Sequence, residues 1–526
     1  MENIEIIFFL LLSAVLLVGF AQRIHVSYPI ILVLGGAAIS FIPGIDNIYF
    51  DPNLVLMIFL PPVLYYSAFG ISFREFQRNW KNIFSLALGL VAFTTVVVAI
   101  IFKWMFPEFS WSFAFAFGAI VSPPDAIAVT SILKRFNINS RLITLLEGES
   151  LINDASAIVI YKISMIALMT GTSSFSEGSR QFFYTGIGGI AVGSLLGFLF
   201  QGFSDRFLEP VLGVVFSFTI PYVTYIIADM LHVSGVLAVV VNGLIGARVL
   251  RTHHSPQRRV LGHAIWDIFI LLLNCLVFIL IGLQIKTISA AMSNQKIILY
   301  SGYAFLIAFT MLIVRMIWVY TRAAFSYFKA LKHRDASKRH SQILKEAAIV
   351  GWAGMRGIVS LAVALALPFT LPDGIPLEGR NEVVFITFMV ILITLLIPGI
   401  TLPMLIRWLN LKYPDQNNDV KNVRNLLAQH AEENVDSLFE SKIIEKEEYD
   451  FLKKYFDSHH KALELAHGAE HNLTNIELAR RKVLHFQRVK LLEMWKMDEI
   501  DDKLLNHLEN ELDMLETHTI RAELKL

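Results

Sequence analysis

Through residue 410 the apolar positions fall in blocks of about 20, the length that carries a helix across roughly 30 Å of hydrocarbon, separated by short polar stretches. About thirteen such blocks can be laid out, from 4–21 to 383–408, of which 29–42 and 54–68 are short. Beyond 411 the pattern changes to Glu/Lys-rich stretches with apolar residues at helical spacing, such as Leu505, Leu508, Leu512 and Leu515. The pattern predicts an all-α polytopic membrane protein, with a transmembrane domain over 1–410 and a helical tail over 411–526.

Three blocks carry the polar irregularities. The block at 142–169 contains Glu147, Glu149, Ser150, Asn153 and Asp154. A carboxylate at that depth costs several kcal/mol and persists mainly in ion pairs or on ion pathways. Helical spacing puts Ser150 and Asp154 four residues apart with Asn153 beside them, so these three can line one cavity, while Glu149 falls on another side and needs its own partner. The plain alternative is that such groups only hydrogen-bond neighbouring helices. It accounts for Ser150 as well as an ion site does, but poorly for Asp154, since a bare carboxylate there must be protonated, paired or hydrated.

The block at 111–133 is interrupted by Ser122, Pro123, Pro124 and Asp125, and successive prolines remove backbone donors and crowd the preceding turn. The block at 343–367 contains Gly351, Gly354, Met355, Arg356 and Gly357, where glycines surround a buried arginine. Carbonyls freed at such breaks are tolerated only inside protein or along a cavity. Counting the helical rise from each block's entry puts Asp125, Asp154 and Arg356 all roughly 18 to 21 Å inward, near the midplane. Two broken helices running in opposite directions point to an inverted-repeat transporter with a midplane site. Primary-sequence repetition between the halves is not visible.

Composition agrees: 55% of the 526 residues are hydrophobic and 17% charged. No soluble core hides that much apolar surface. The net charge of +1 says little about partners, because the charges gather in the tail. The one cysteine, Cys275, lies in an apolar run and excludes a disulfide framework or a cysteine zinc site. The start at Glu2 and Glu5 is acidic where a cleavable signal is basic, so the first block is read as a retained helix. Basic residues alternate between sides: Arg23, Arg74, Arg78, Lys81, Lys134, Arg135, Arg141, Arg206, Arg248, Arg251, Arg258, Arg259 and the 322–345 cluster fall on one, against Lys103, Arg180, Lys286, Lys296 and Arg380 with acidic Asp46, Asp51, Asp373 and Glu378 on the other. The rule that cytoplasmic loops are basic then places the N-terminus outside and the tail in the cytoplasm of a cell (inner) membrane protein. The tail also holds His430, His459, His460, His467, His471, His485, His507 and His518, which fit solvated packing helices better than a pH sensor. His253 and His254 read as part of a solvated basic loop.

The combination of Phe59-Leu60-Pro61-Pro62, taken as a turn, with the 122–128 stretch, Gly148-Glu149-Ser150, Asn153-Asp154 and Gly354-Met355-Arg356-Gly357 resembles the cation/proton antiporter 1 family, the sodium/proton exchangers, over about 29–407. The resemblance implies the inverted-repeat antiporter fold, with the broken helices crossing at unwound centres. It implies a homodimer whose dimerisation part is about 1–70 and 207–290 and whose mobile core is about 82–170 and 296–410. It implies that Asp154, with Asn153, Asp125 and Ser150, holds Na+, that Glu149 pairs with Arg356, and that Pro123, Pro124, Gly354 and Gly357 mark the breaks. An Asn-Asp pair implies electroneutral one-for-one exchange of sodium and proton. Tyr66 and Pro124 depart from some members, which have a carboxylate and a threonine there. No enzymatic activity, resident cofactor or nucleic acid is expected, and the partners are the two ions, membrane lipid and a second copy. The rivals are a potassium/proton antiporter with the same machinery, an ion channel, for which no filter signature is visible, a sensor signalling through the tail, and an intramembrane hydrolase, for which Ser150 lacks a histidine base in its own block.

Overall fold

A computed structural model describes residues 3–411 apart from 25, 43–51, 72, 137, 139, 171–174, 254–255, 291, 331–335 and 372–374, and in the tail 430–454 without 432 and a few positions between 487 and 497. Asp46, Asp51, His254, Asp373, the tail histidines other than His430, and Leu505, Leu508, Leu512 and Leu515 lie outside the described residues. The chain divides into two compact units, Met1–Tyr413 and Pro414–Leu526.

In lipid every backbone N–H must find its acceptor within the chain, and the membrane unit meets this with helices. It begins with α1 (Asn3–Arg23), α2 (Tyr28–Ile39), α3 (Pro52–Gly70) and α4 (Phe73–Phe84), the last passing through a π-helical turn, Ser85–Leu90, into α5 (Val91–Met105). Next come α6 (Trp111–Val121), α7 (Ala126–Leu133) and α8 (Ser140–Thr170). The middle of the chain forms α9 (Phe175–Phe207), α10 (Pro210–Met230), α11 (Gly235–His253) and α12 (Pro256–Ala290). The last quarter of the unit is α13 (Asn294–Ala330), α14 (Ala336–Trp352), α15 (Ile358–Leu365) and α16 (Arg380–Leu409). Among the described residues eight helical spans are long and apolar enough to cross a membrane, and Phe8–Arg23, Tyr28–Ile39, Met57–Gly70 and Gly235–Arg248 are shorter apolar helices. One isolated bridge, Thr370 with Pro376, stands outside them.

Two details differ from the sequence reading. Pro61 and Pro62 form no turn; they lie inside α3. Arg258, assigned to a basic loop, is buried, and its guanidinium donates to the Ser204 hydroxyl and to the Ser204 and Gly213 carbonyls. Starts are set locally: Ser110 accepts from the Phe113 amide at 3.2 Å to cap α6, and Pro210 opens α10 where no amide donor is needed.

The largest buried cluster joins α5, α6, α8, α12, α13 and α16. Phe102 sits at its aromatic end, with ring centres 4.7 to 6.0 Å from Phe106, Phe109, Phe113 and Phe117. Lipid tails are as apolar as these side chains, so close packing rather than escape from water holds the helices together. A second cluster joins α3, α10 and α11 with the middle of α8 through Leu64, Val239, Leu151 and Ala155. In the tail unit, 433–440 and 446–454 are helical, and the Tyr449 hydroxyl and Lys453 hold the Asp436 carboxyl below its ordinary range.

Candidate functional site

The two breaks meet. After α6, which Ser122 closes with its amide on the Gly118 carbonyl, the chain is unwound through Pro123, Pro124 and Asp125, and after α14 it is unwound from Ala353 to Gly357. The Asp125 amide donates to the Met355 carbonyl at 2.7 Å, so one backbone hydrogen bond joins the unwound centres. Asp125 also starts α7, its Oδ1 accepting from the Ile127 amide at 2.8 Å. Gly357 is required by this approach: a Cβ there would lie 2.0 Å from Asp125 Oδ2 and 2.7 Å from Asp125 Cβ.

With Oδ1 fixed, Asp125 cannot rotate away, so Gly357→Ala is expected to push the breaks apart. Overpacking of this kind costs about 1–3 kcal/mol. The measurement is thermal stability in detergent beside ion transport, and an unchanged melting point with full transport would refute the crossing geometry.

α8 runs beside the crossing. Asn153, fully buried, donates from Nδ2 to the Pro124 carbonyl at 2.8 Å, while its Oδ1 has no partner among the described residues. Ser150 Oγ accepts from the Ala126 amide at 3.3 Å. Ser156 donates to the Ala87 carbonyl in the π-helical turn at 2.7 Å. Asp154, 8% exposed, makes no hydrogen bond among the described residues.

A cavity of about 100 Å³ opens in front of it, lined by Asp154, Asp125, Ser150, Pro123, Pro124 and Glu147 among others. Asn153 is not part of that lining; its amide ties α8 to the break instead. Polar lining residues the sequence reading did not single out include Ser67, Thr130, Ser360 and Asn274, the last from α12. The Glu147 carboxylate is 21% exposed and lies 3.7 Å from Lys134, so the cavity meets the surface at the end that carries Lys134, Arg135 and Arg141. Next to Asp154, the side chains of Ala155, Ile158 and the lining residue Val359 belong to the apolar cluster with α3 and α11.

The buried charges pair differently from expectation. Glu149, 1% exposed, takes both oxygens to Arg315 of α13: Nη1 donates to Oε1, and Nη2 donates to Oε2 at 2.8 Å. Arg315, 2% exposed, also donates from Nε to the Val350 carbonyl at 3.0 Å. Arg356, the expected partner of Glu149, instead donates to carbonyls freed by the breaks: Val121 at 3.2 Å, Ser122 at 3.3 Å, and Gly354. Carbonyl dipoles thus satisfy one guanidinium and leave Glu149 to the other. Both arginines border Gly354, where a Cβ would meet Arg315 Cδ at 2.9 Å and Arg356 Nη1 at 3.0 Å. Arg315 carried a signal the sequence reading passed over, a lone arginine in the apolar run 297–320.

Chemically this is a small cavity with a mostly apolar wall into which the carboxyls of Asp125, Glu147 and Asp154 and the Ser150 hydroxyl project, at the meeting point of two broken helices; Asp154 makes no hydrogen bond among the described residues. Hard monovalent cations take carboxylate, hydroxyl and carbonyl oxygens of this kind, as hard divalent ions do. Among the described residues no group of three or more His, Cys, Asp or Glu could hold a metal ion.

Broken helices crossing beside a buried carboxylate, in an all-helical membrane unit, define a secondary transporter. The chain belongs to the sodium/hydrogen exchanger family, whose profile, "Sodium/hydrogen exchanger, transmembrane", matches residues 8–408. An uncharacterized Na+/H+ exchanger of Mycobacterium tuberculosis is 30% identical, the match covering 97% of this chain and 95% of the relative. A sodium, potassium, lithium and rubidium/H+ antiporter of Bacillus pumilus is 33% identical over 72% of this chain and 57% of its own. The solved sodium proton antiporter MjNhaP1 of Methanocaldococcus jannaschii superposes with a TM-score of 0.60 at 20% identity, covering 78% of this chain and 99% of that one, and so shares the fold.

Proposed function

We propose that this chain exchanges sodium for protons across a cell membrane, one for one, with the Asp154 carboxylate holding either ion but not both. The observation that carries the reading is a buried carboxylate, without a hydrogen bond among the described residues, lining a cavity at the crossing of two broken helices. Asp125 Oδ2, the Ser150 hydroxyl and the carbonyls near Pro123 and Pro124 supply further oxygens to a bound cation, and Asn153 steadies the break. Glu149 and Arg315 neutralise each other, which leaves the Asp125 carboxyl, the Arg356 guanidinium and the bound ion to set the field at Asp154. Moving Asp154 empty and ionised through the apolar barrier is too costly, which makes exchange obligatory without a separate gate.

The remaining parts of the reading are a homodimer with its dimerisation part at 1–70 and 207–290, a core at 82–170 and 296–410 that moves as one body, an outside N-terminus and a cytoplasmic tail. The basic residues at the open end of the cavity support an inward-facing arrangement. Sodium and proton are cargo, and no step calls for a resident cofactor or an enzymatic activity. A potassium/proton exchanger is the second reading, favoured by the mixed ion range in the name of the Bacillus relative.

The test is dissipation of a preset pH gradient in everted vesicles on adding sodium, lithium or potassium. Collapse by sodium supports the first reading, and collapse by potassium alone transfers it to the second. No response to any of the three removes the exchanger reading.

A further inference from the structure

A second cavity, about 420 Å³, lies among α4, α8, α13 and α14. Of its polar residues, Gln342 and Glu346 come from α14, and four sit in the outermost turns of spanning helices: Asn79 and Asn82 early in Phe76–Met105, Arg141 at the start of Arg141–Thr170, and Arg322 near the end of Asn294–Phe325. That is the depth of lipid headgroups.

Each guanidinium is positioned by an asparagine of α4. Arg141 Nε donates to Asn79 Oδ1 at 3.1 Å, and Arg322 Nη2 donates to Asn82 Oδ1 at 2.9 Å. The other contact of Arg322, to the Lys81 carbonyl at 3.5 Å, also comes from Nη2. Among the described residues its Nε and Nη1 therefore remain for another acceptor. From α14, Gln342 Nε2 donates to Glu346 Oε1 at 3.4 Å, which among the described residues leaves Glu346 Oε2 for a donor, and the Arg141 charge also acts on this carboxylate. The rest of the wall is apolar, including Leu86, Leu145, Val319 and Val350.

We propose that this cavity binds the headgroup of an aminophospholipid, with its phosphodiester on Arg141 and Arg322 and its primary ammonium on Glu346. Guanidinium forks match phosphate oxygens in geometry and charge. A carboxylate in the same cavity opposes a multiply charged anion and suits a ligand that carries both signs. The same headgroup chemistry exists in soluble glycerophosphoethanolamine, but the membrane source is favoured by α4 itself. Trp80 and Phe84, 50% and 39% exposed, stand edge to face beside the two asparagines, the placement of interfacial aromatics. A lipid here braces the helices that carry Asp154, Arg315 and the approach to Arg356.

The test uses the full-length protein, delipidated in detergent, with native mass spectrometry of bound phosphatidylethanolamine, phosphatidylcholine and phosphatidylglycerol of matched chains. The wild type is expected to prefer the ethanolamine lipid, because choline offers no N–H to Glu346. Arg141→Gln with Arg322→Gln is expected to weaken its binding about a hundredfold, roughly tenfold for each lost charged hydrogen bond. Glu346→Gln is expected to erase the preference for ethanolamine over choline while binding persists, and this variant alone decides the matter if the double variant does not fold. Unchanged lipid binding in the variants overturns the site. Tightest binding of the glycerol lipid, indifferent to Glu346→Gln, overturns the two-sign ligand. Glycerophosphoethanolamine binding as tightly as the lipid overturns the membrane source. The readout is independent of transport, so this inference and the exchanger reading can fail separately.

Discussion

Asp154→Asn is expected to reduce sodium-driven collapse of a pH gradient to background while leaving the protein as heat-stable as the wild type. The side chain keeps its shape and loses only the charge that competes for proton and cation. Because Asp154 makes no hydrogen bond among the described residues, no packing contact is lost with the charge. Asp125→Asn is the contrast. Asparagine caps helices as well as aspartate does, so α7 should still start at 125, and transport should fall in part, as cation affinity, rather than vanish. Vesicle transport measured beside the melting temperature of each purified variant checks both. Wild-type transport by Asp154→Asn would make Asp154 structural and end the proposed mechanism.

The second large effect belongs to Arg315. Arg315→Ala strands the Glu149 carboxylate, 1% exposed, without its hydrogen-bonded partner, and breaking one side of a buried pair costs about 3–5 kcal/mol. The expected result is little monodisperse protein on size-exclusion chromatography and a melting point well below that of the wild type. Replacing both partners with apolar residues, Glu149→Leu with Arg315→Met, removes the stranded charge as well as the pair, and is expected to recover most of the loss. A single Arg315→Ala variant as abundant and stable as the wild type would show that Glu149 does not depend on Arg315.

The class of protein was legible because its physics is written in runs: blocks of apolar residues, prolines at 123 and 124, and glycines around Arg356 leave marks in one dimension. The gathering of Asp125, Ser150 and Asp154 along one cavity also followed, from helical spacing and depth. The partner of Glu149 did not. Expecting opposite charges to pair overlooked that each break frees carbonyls, and the Val121, Ser122 and Gly354 carbonyls occupy Arg356. Arg315 stands in a uniform apolar helix with no motif around it, so only the third dimension brings it to Glu149. The π-helical turn at Ser85–Leu90 was equally hidden, because its one visible consequence is a hydrogen bond from Ser156, far along the chain. Asn153 has a second duty that spacing does not reveal: its Nδ2 holds the Pro124 carbonyl, while its Oδ1 has no partner among the described residues.

The hydrogen bond from the Asp125 amide to the Met355 carbonyl fastens one broken helix to the other at their centres. Under the proposed exchange, breaks joined in this way move as one piece and the oxygens around Asp154 travel with them. With one ion traded for the other, the sign of net flux is then set by the two ion gradients.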